Sequence, residues 1–315
     1  MSKRVAITSF LCAVLLPGCN APRREQPVSA VAGPWIAEDF VGRELTTPHF
    51  RLLSTLADSE LETALPEFLE AAYVRYERTV PATRSASERL TVYVFGTRSQ
   101  WDRFVRQRFP ARHALVSRIR CGGFTENGAS VLFHVDRAST LATLAHEGWH
   151  QYIRVQVGDA LPPWLDEGLA CTHEALEFAG QLRFTPQRNT FRTDSLRKAL
   201  KDGRLFSLRQ LVNAEAGRLL RDDRAFWTQT YYAQAWALVT FLQHDAGHGK
   251  ATALARLLDD VASGSFVARV RATSLTEGHE PADEFGTAAF RAYFGCHPDD
   301  LTAPYHDHLV RLCRL

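Results

Sequence analysis

The chain has 315 residues, of which 45% are hydrophobic and 23% charged, and its formal net charge is +2. This composition excludes a fully disordered, collagen-like or multi-pass membrane protein and leaves room for one large domain or two small ones. Near-balanced charge offers no electrostatic attraction to nucleic acid or to an anionic membrane surface, so no nucleic-acid partner is expected.

Residues 1–18 read as a signal peptide. Lys3 and Arg4 precede an apolar run from Val5 to Leu16, and Leu16-Pro17-Gly18-Cys19 follows. The run is too short to span a bilayer, which takes ~20 apolar residues. The ending resembles a bacterial lipobox, although Pro17 stands where a small residue is usual. That resemblance implies export, with Cys19 acylated and the chain held on a membrane facing the periplasm. Ordinary cleavage nearby, giving a free periplasmic protein, is the alternative. Residues 19–44 are read as a lipid-anchored tether, since Pro22, Pro27 and Pro34 interrupt a stretch without apolar period. Membrane contact is expected through the lipid anchor only.

His49–Thr55 alternates and is predicted as a strand. Asp58–Thr79 carries Leu61, Leu65, Phe68, Leu69, Ala72 and Tyr76 at helical spacing, with Asp58 as cap. Leu90–Phe95 is a predicted strand. Thr97 then caps a helix bearing Trp101, Phe104, Val105 and Phe109, and Ser130–Val135 is a further strand. From residue 138 the pattern is almost wholly helical, with helices predicted over 138–157, 163–178, 193–202, 207–213, 229–246, 249–263, 285–294 and 301–314. The fold class is therefore α+β, with an N-terminal mixed strand and helix lobe at 45–137 packed on a mainly helical lobe at 138–315. Cys121, Cys171, Cys296 and Cys313 remain in the exported chain. Pairings Cys296–Cys313 and Cys121–Cys171 are expected, with free buried thiols as the alternative.

His146-Glu147-Gly148-Trp149-His150 matches H-E-x-x-H. On a helix the two histidines leave one face a turn apart, which suits two positions on tetrahedral Zn²⁺. Glu147 lies about 100° round from His146 and can act as general base. Leu141, Leu144, Ala145, Tyr152, Ile153 and Val155 mark the helix as buried, so its polar groups need partners. Pro163 can open a second helix in Pro162-Pro163-Trp164-Leu165-Asp166-Glu167-Gly168-Leu169-Ala170. Glu167, a turn inside it, supplies a third ligand and leaves the fourth position to water.

Together H-E-x-x-H and W-L-x-E-G-L-A resemble the gluzincin metallopeptidases, and more narrowly the peptidase MA-like proteins of bacteria. The likeness extends to the lead-in from His49, the Gly203–Leu208 segment, and Tyr232-Ala233-Gln234-Ala235-Trp236-Ala237-Leu238-Val239 with Phe241-Leu242. It implies a zincin-like fold, one zinc and hydrolysis of a peptide bond. Residue by residue it implies His146, His150 and Glu167 as ligands and Glu147 as base. Tyr232 matches a position that can donate to the oxyanion. Core packing is the other reading of Tyr232, and Tyr231 is the competing donor. One departure is Cys171, four residues after the ligand Glu, where many gluzincins carry a carboxylate that supports a ligand histidine. His173 and Glu174 read as lying at other helical angles. Cys171 facing the zinc is a further alternative. Residues 124–135 are placed to pair with extended substrate as an edge strand. His134 reads as structural, and His244 with His248 are assigned no metal.

Two functions follow. The first is a zinc metallopeptidase acting on a peptide or protein substrate. The second is a weakly active or inactive zincin-like lipoprotein that serves as an envelope binding module. The intact set of three ligands and Glu147 favours the first.

Overall fold

The structure, a computed structural model, describes residues 30–314 except 38, 85–87, 118, 120–121, 159–160, 179–181, 186–187, 222–224, 245–248 and 277–283. Apolar alternation sorts its strands into a sheet with two buried faces. β1 (Val31–Ala37), β2 (Phe40–Thr46), β3 (Phe50–Ser54), β4 (Leu90–Phe95), β5 (Gly123–Glu126) and β6 (Ala129–Phe133) form one sheet in the order β1-β2-β3-β4-β6-β5. β3, β4 and β6 run parallel, while β1, β2 and β5 join by antiparallel hairpin pairing. Asn127 (φ 51°) and Gly128 (φ 73°) make the β5–β6 turn, where two left-handed residues match the twist of a tight hairpin.

Between β3 and β4 runs α1 (Ser59–Thr79), with Asp58 accepting from Leu61 N as its cap. α2 (Arg98–Arg108) opens on the capping box of Thr97 and Gln100, and α3 (Pro110–Val116) follows. Leu52, Val92 and Leu132 face α1, while Leu53, Phe95, Val131 and Phe133 face Trp101 and Val105 of α2. That is the period-two division expected of strands covered on both sides.

α4 (Arg137–Tyr152) passes into a π-helical turn at 153–157, which Gly158 ends in left-handed conformation. α5 (Pro163–Glu174) and the small hairpin β7 (Leu176–Phe178) and β8 (Leu182–Phe184) come next. Helices complete the chain: α6 (Thr190–Lys201), α7 (Leu208–Asn213), α8 (Ala216–Arg221), α9 (Ala225–His244), α10 (Lys250–Ala262), α11 (Phe266–Thr276), α12 (Phe285–Phe294) and α13 (Thr302–Arg314). The architecture is α+β, and one core runs from the sheet through Tyr76 and Trp149 to Trp164, Leu169 and Trp236. At Gly168 a Cβ would sit 2.6 Å from the carbonyl oxygen of Ala235, so the missing side chain lets α5 lie directly on α9. No helix of the described residues is long and apolar enough to cross a membrane.

Several boundaries differ from expectation. The sheet begins inside the stretch given to the tether, because Pro34 lies on the edge strand β1, where a missing N–H costs no ladder bond. The segment predicted as one helix over 163–178 stops at Glu174, and Leu176–Phe178 is strand. Short helices α3 and α8 and strand β5 carry too few residues to show a clear period, and the 11-residue α11 lies outside the predicted helices. Residues 1–29, with the signal, Cys19 and most of the tether, lie outside the described residues, as does Cys121.

Candidate metal centre

α4 brings His146, Glu147 and His150 to the junction of sheet and helices. Asp136 caps its start, accepting from Ser139 N at 2.9 Å, and Tyr76 of α1 donates to Ala145 O at 2.7 Å. Pro162 and Pro163 fix the start of α5, so Asp166 falls in its first turn and Glu167 directly after it, beside the end of α4. Both histidines are buried.

Three donor atoms converge. His146 Nε2 and His150 Nε2 are 3.2 Å apart, and Glu167 Oε2 lies 3.2 Å from the first and 3.3 Å from the second. A tetrahedral ion held at ~2.0–2.1 Å separates its donors by about 3.3–3.4 Å, so the triangle has the size of such a site. Glu167 Oε2 is buried and has no hydrogen-bond partner. The far side of each ring is anchored: Glu174 Oε1 lies 2.7 Å from His146 Nδ1, and Asp166 Oδ2 lies 3.1 Å from His150 Nδ1. Those carboxylates favour the proton on Nδ1, which leaves the Nε2 lone pairs facing the carboxylate oxygen. Three converging acceptors call for a cation, and these residues form a group able to hold a metal ion.

The same carboxylates act on the proton affinity of the rings. Burial pushes the His150 pKa down, but Asp166 and Glu167 outweigh it and raise the value to about 10. His146 is likewise held well above its ordinary value, against burial, by contacts with Cys171, Glu167 and Glu174. Burial opposes ionisation of Glu167, yet the two histidines hold it well below the usual carboxylate range.

Glu174 corrects the expectation that it points elsewhere. Seven residues from Glu167 at ~100° each bring a side chain back to within about 20° of the same face. Its carboxylate meets Arg192 through both oxygens and Asn189 Nδ2 at 2.8 Å, so both groups of α6's first turn brace it. Arg192 and His146 keep the Glu174 pKa at about 2 despite burial. Asp166, which the sequence reading passed over, also accepts from Trp149 Nε1 at 2.9 Å. The adjacent acidic pair Asp166-Glu167 is the signal that could have found it.

Cys171 is a free buried thiol, and Cys296 and Cys313 are also free, so the expected pairings of these three are not formed. Cys171 points instead at His146 and Glu174, and burial pushes its pKa up to about 11. His146, Cys171 and Glu174 form a second donor group, but the Arg192 guanidinium already covers both Glu174 oxygens and repels a cation there.

Glu147 is half-buried and turned toward the sheet edge. Thr125 Oγ1 of β5 lies 2.9 Å from its Oε2 and 2.9 Å from its carbonyl oxygen. Ser130 and Gln151 continue the chain of contacts, and Gln151 Nε2 donates to Thr91 O and Gly128 O. β5 is the outer strand on this side of the sheet, so the edge expected within 124–135 is 123–126, while 129–133 is covered by it. Tyr232 of α9 stands edge-on to His146 with ring centres 5.8 Å apart, and the Arg192 guanidinium lies over its ring. Tyr231 is buried and donates to Ala214 O at 3.1 Å, away from the centre. His134 bonds Thr140 Oγ1 at 3.0 Å in a structural role, and His248 lies outside the described residues. Beside Asp166 and Glu167 opens a cavity of about 430 Å³, lined also by Ile153, Arg154, Leu161 and Glu215.

Residues 140–263 match a family described as a protein of unknown function (DUF1570). The matched segment includes His146, His150, Glu167, Asp166, Glu174, Arg192 and Tyr232, but not Thr125 of the sheet edge. No curated protein matches the chain.

Proposed function

We propose that the chain is a zinc-dependent hydrolase, a metallopeptidase of gluzincin type that cleaves peptide bonds. The observation that carries this reading is the triangle of His146 Nε2, His150 Nε2 and Glu167 Oε2, the last a buried carboxylate oxygen with no hydrogen-bond partner. Imidazole and carboxylate donors in a set of three that leaves a fourth position open, with Glu147 alongside, suit zinc in a catalytic rather than a structural site. Zinc bound there would acidify water and polarise a carbonyl.

The chain's own residues supply the rest. The Glu147 carboxylate takes the proton from the attacking water and returns it to the leaving amine. Thr125 orients that carboxylate by its bond to Oε2. Tyr232, whose ring stands edge-on to His146, would donate to the oxygen on which charge develops. Asp166 and Glu174 hold the two imidazoles. An extended peptide adding to the free side of β5 would run past Glu147 through main-chain bonds. Export and lipid anchoring at Cys19 belong to the same reading and put the site in the cell envelope.

Metal analysis of the purified protein tests it. One zinc per chain is expected, lost in Glu167→Ala because two ligands on one helix leave the set open. Absence of metal from the wild-type protein, or full occupancy in Glu167→Ala, would overturn the assignment.

A further inference from the structure

The cavity beside Asp166 and Glu167 holds a charge that the metal centre does not use. Both Asp166 oxygens are taken up, by Trp149 and His150, and Glu167 belongs to the donor triangle. Glu215 lines the same cavity, and its carboxylate has no hydrogen bond or ion pair among the described residues. Arg154, the basic side chain in the lining, is turned to the sheet edge, where Nη1 donates to Thr125 O at 3.0 Å. Ile153, Leu161, Pro163 and Ala216 make the wall largely apolar.

The cavity has a defined place along the cleft. α4 and β5 run in the same direction, since Gly122 lies beside Thr143, Thr125 beside Glu147 and Gly128 beside Val155. The lining residues 153–158 follow α4, so the cavity opens toward the Gly128 end of β5. The two-residue turn Asn127-Gly128 makes Glu126 and Ala129 the closing bonded pair. In the next pair, Thr125 and Ser130, the main-chain groups therefore point away from each other, and Thr125 O lies on the free edge. Arg154 already occupies that acceptor, so main-chain pairing with a peptide ends there and the peptide continues into the cavity. In the antiparallel arrangement, the more stable of the two, the part that reaches this end lies on the amino side of the bond being cut.

We propose that the cavity selects a basic side chain, lysine or arginine, on the amino side of the cleaved bond, with Glu215 as its partner. The inference rests on the hydrolase reading above and names its substrate class. An alkyl stem with a cationic end matches apolar walls that carry one free carboxylate. An amino-terminal ammonium carries its charge beside the backbone, with no stem to cover those walls in a cavity of about 430 Å³. An acidic side chain would meet three carboxylates, Asp166, Glu167 and Glu215.

The test uses the full chain loaded with zinc and a mixture of acetylated peptides of varied sequence, with the cleaved bonds mapped by mass spectrometry. Lysine and arginine are expected to be enriched several-fold on the amino side of those bonds. Glu215→Gln should remove the enrichment while keeping the metal, because Glu215 is exposed and outside the donor set. Binding gives a second readout. In Glu147→Gln, a lysine peptide from a mapped site should bind about five- to tenfold tighter than its norleucine counterpart, as for a partly solvated ion pair. Adding Glu215→Gln should close that gap. Cleavage without the enrichment, enrichment that survives Glu215→Gln, or a Glu215 dependence seen only with unacetylated peptides overturns the inference and leaves the hydrolase standing. Failure of the zinc-loaded wild-type chain to cut any peptide overturns the hydrolase reading, and the inference with it.

Discussion

At the scale of single residues, the proposed centre keeps the groups that would bind a metal apart from the group that would act as base. Glu147 leaves α4 about 100° round from His146 and about 60° beyond His150, and bonds Thr125 rather than the donor triangle. Glu147→Gln is therefore expected to fold, to keep its metal and to lose hydrolysis by about 100- to 10,000-fold, the range for general acid–base groups. Metal content and turnover of an unstructured substrate, measured on one preparation, check this, and loss of metal would show base and ligand to be wrongly assigned. Asp166 acts at one remove, by holding His150. Asp166→Asn keeps the shape but not the charge, and should weaken metal binding by roughly 10- to 100-fold, read by competition with a chelator. Glu174 is a poorer probe of the same effect, because its removal strands the buried guanidinium of Arg192.

At the scale of elements, the position of α4 depends on what braces α1 and the sheet beneath it. Glu70 of α1 accepts from Thr47 Oγ1 at 2.5 Å and from His49 N at 2.9 Å, and pairs with His49 Nδ1 at 2.6 Å. It thereby joins α1 to the start of β3. Burial alone would raise its pKa, but the bonds from His49 and Thr47 lower it below the ordinary 4.5. The sign follows: the contribution is complete above about pH 4.5 and fades as pH falls through the lower folded value. Glu70→Gln should cost about 1.5–3 kcal/mol at pH 7. The gap between variant and wild type should narrow in acid, as measured by denaturant unfolding at several pH values. A gap that widens in acid would mean the carboxylate is not the stabilised form.

Across the whole molecule, one core joins the sheet to the helices, so the N-terminal lobe is part of the scaffold of the centre rather than a separate unit. Lipid anchoring at Cys19, proposed above, is tested at this scale too. Cys19→Ser should move the protein from the membrane fraction to the soluble fraction without changing its metal content. An unchanged membrane fraction would show that something other than acylation holds it there.

Much of this was legible in the residues themselves. Local chemistry decides helix starts, and Asp58 and Thr97 cap where their side chains and the following apolar spacing place them. The i, i+4 geometry of His146 and His150 is likewise a property of one helix, and Glu167 falls one turn after Pro163 because proline opens that helix. Tertiary structure decided what depends on distant segments meeting. Thr125 reaches Glu147 only because β5 pairs outside β6. Arg192 and Asn189 reach Glu174 only because the first turn of α6 lies against the end of α5, and Tyr232 rather than Tyr231 faces His146 because α9 turns that side inward. Neighbours along a helix are set by its period, whereas partners across a fold are set by packing, which no local spacing encodes.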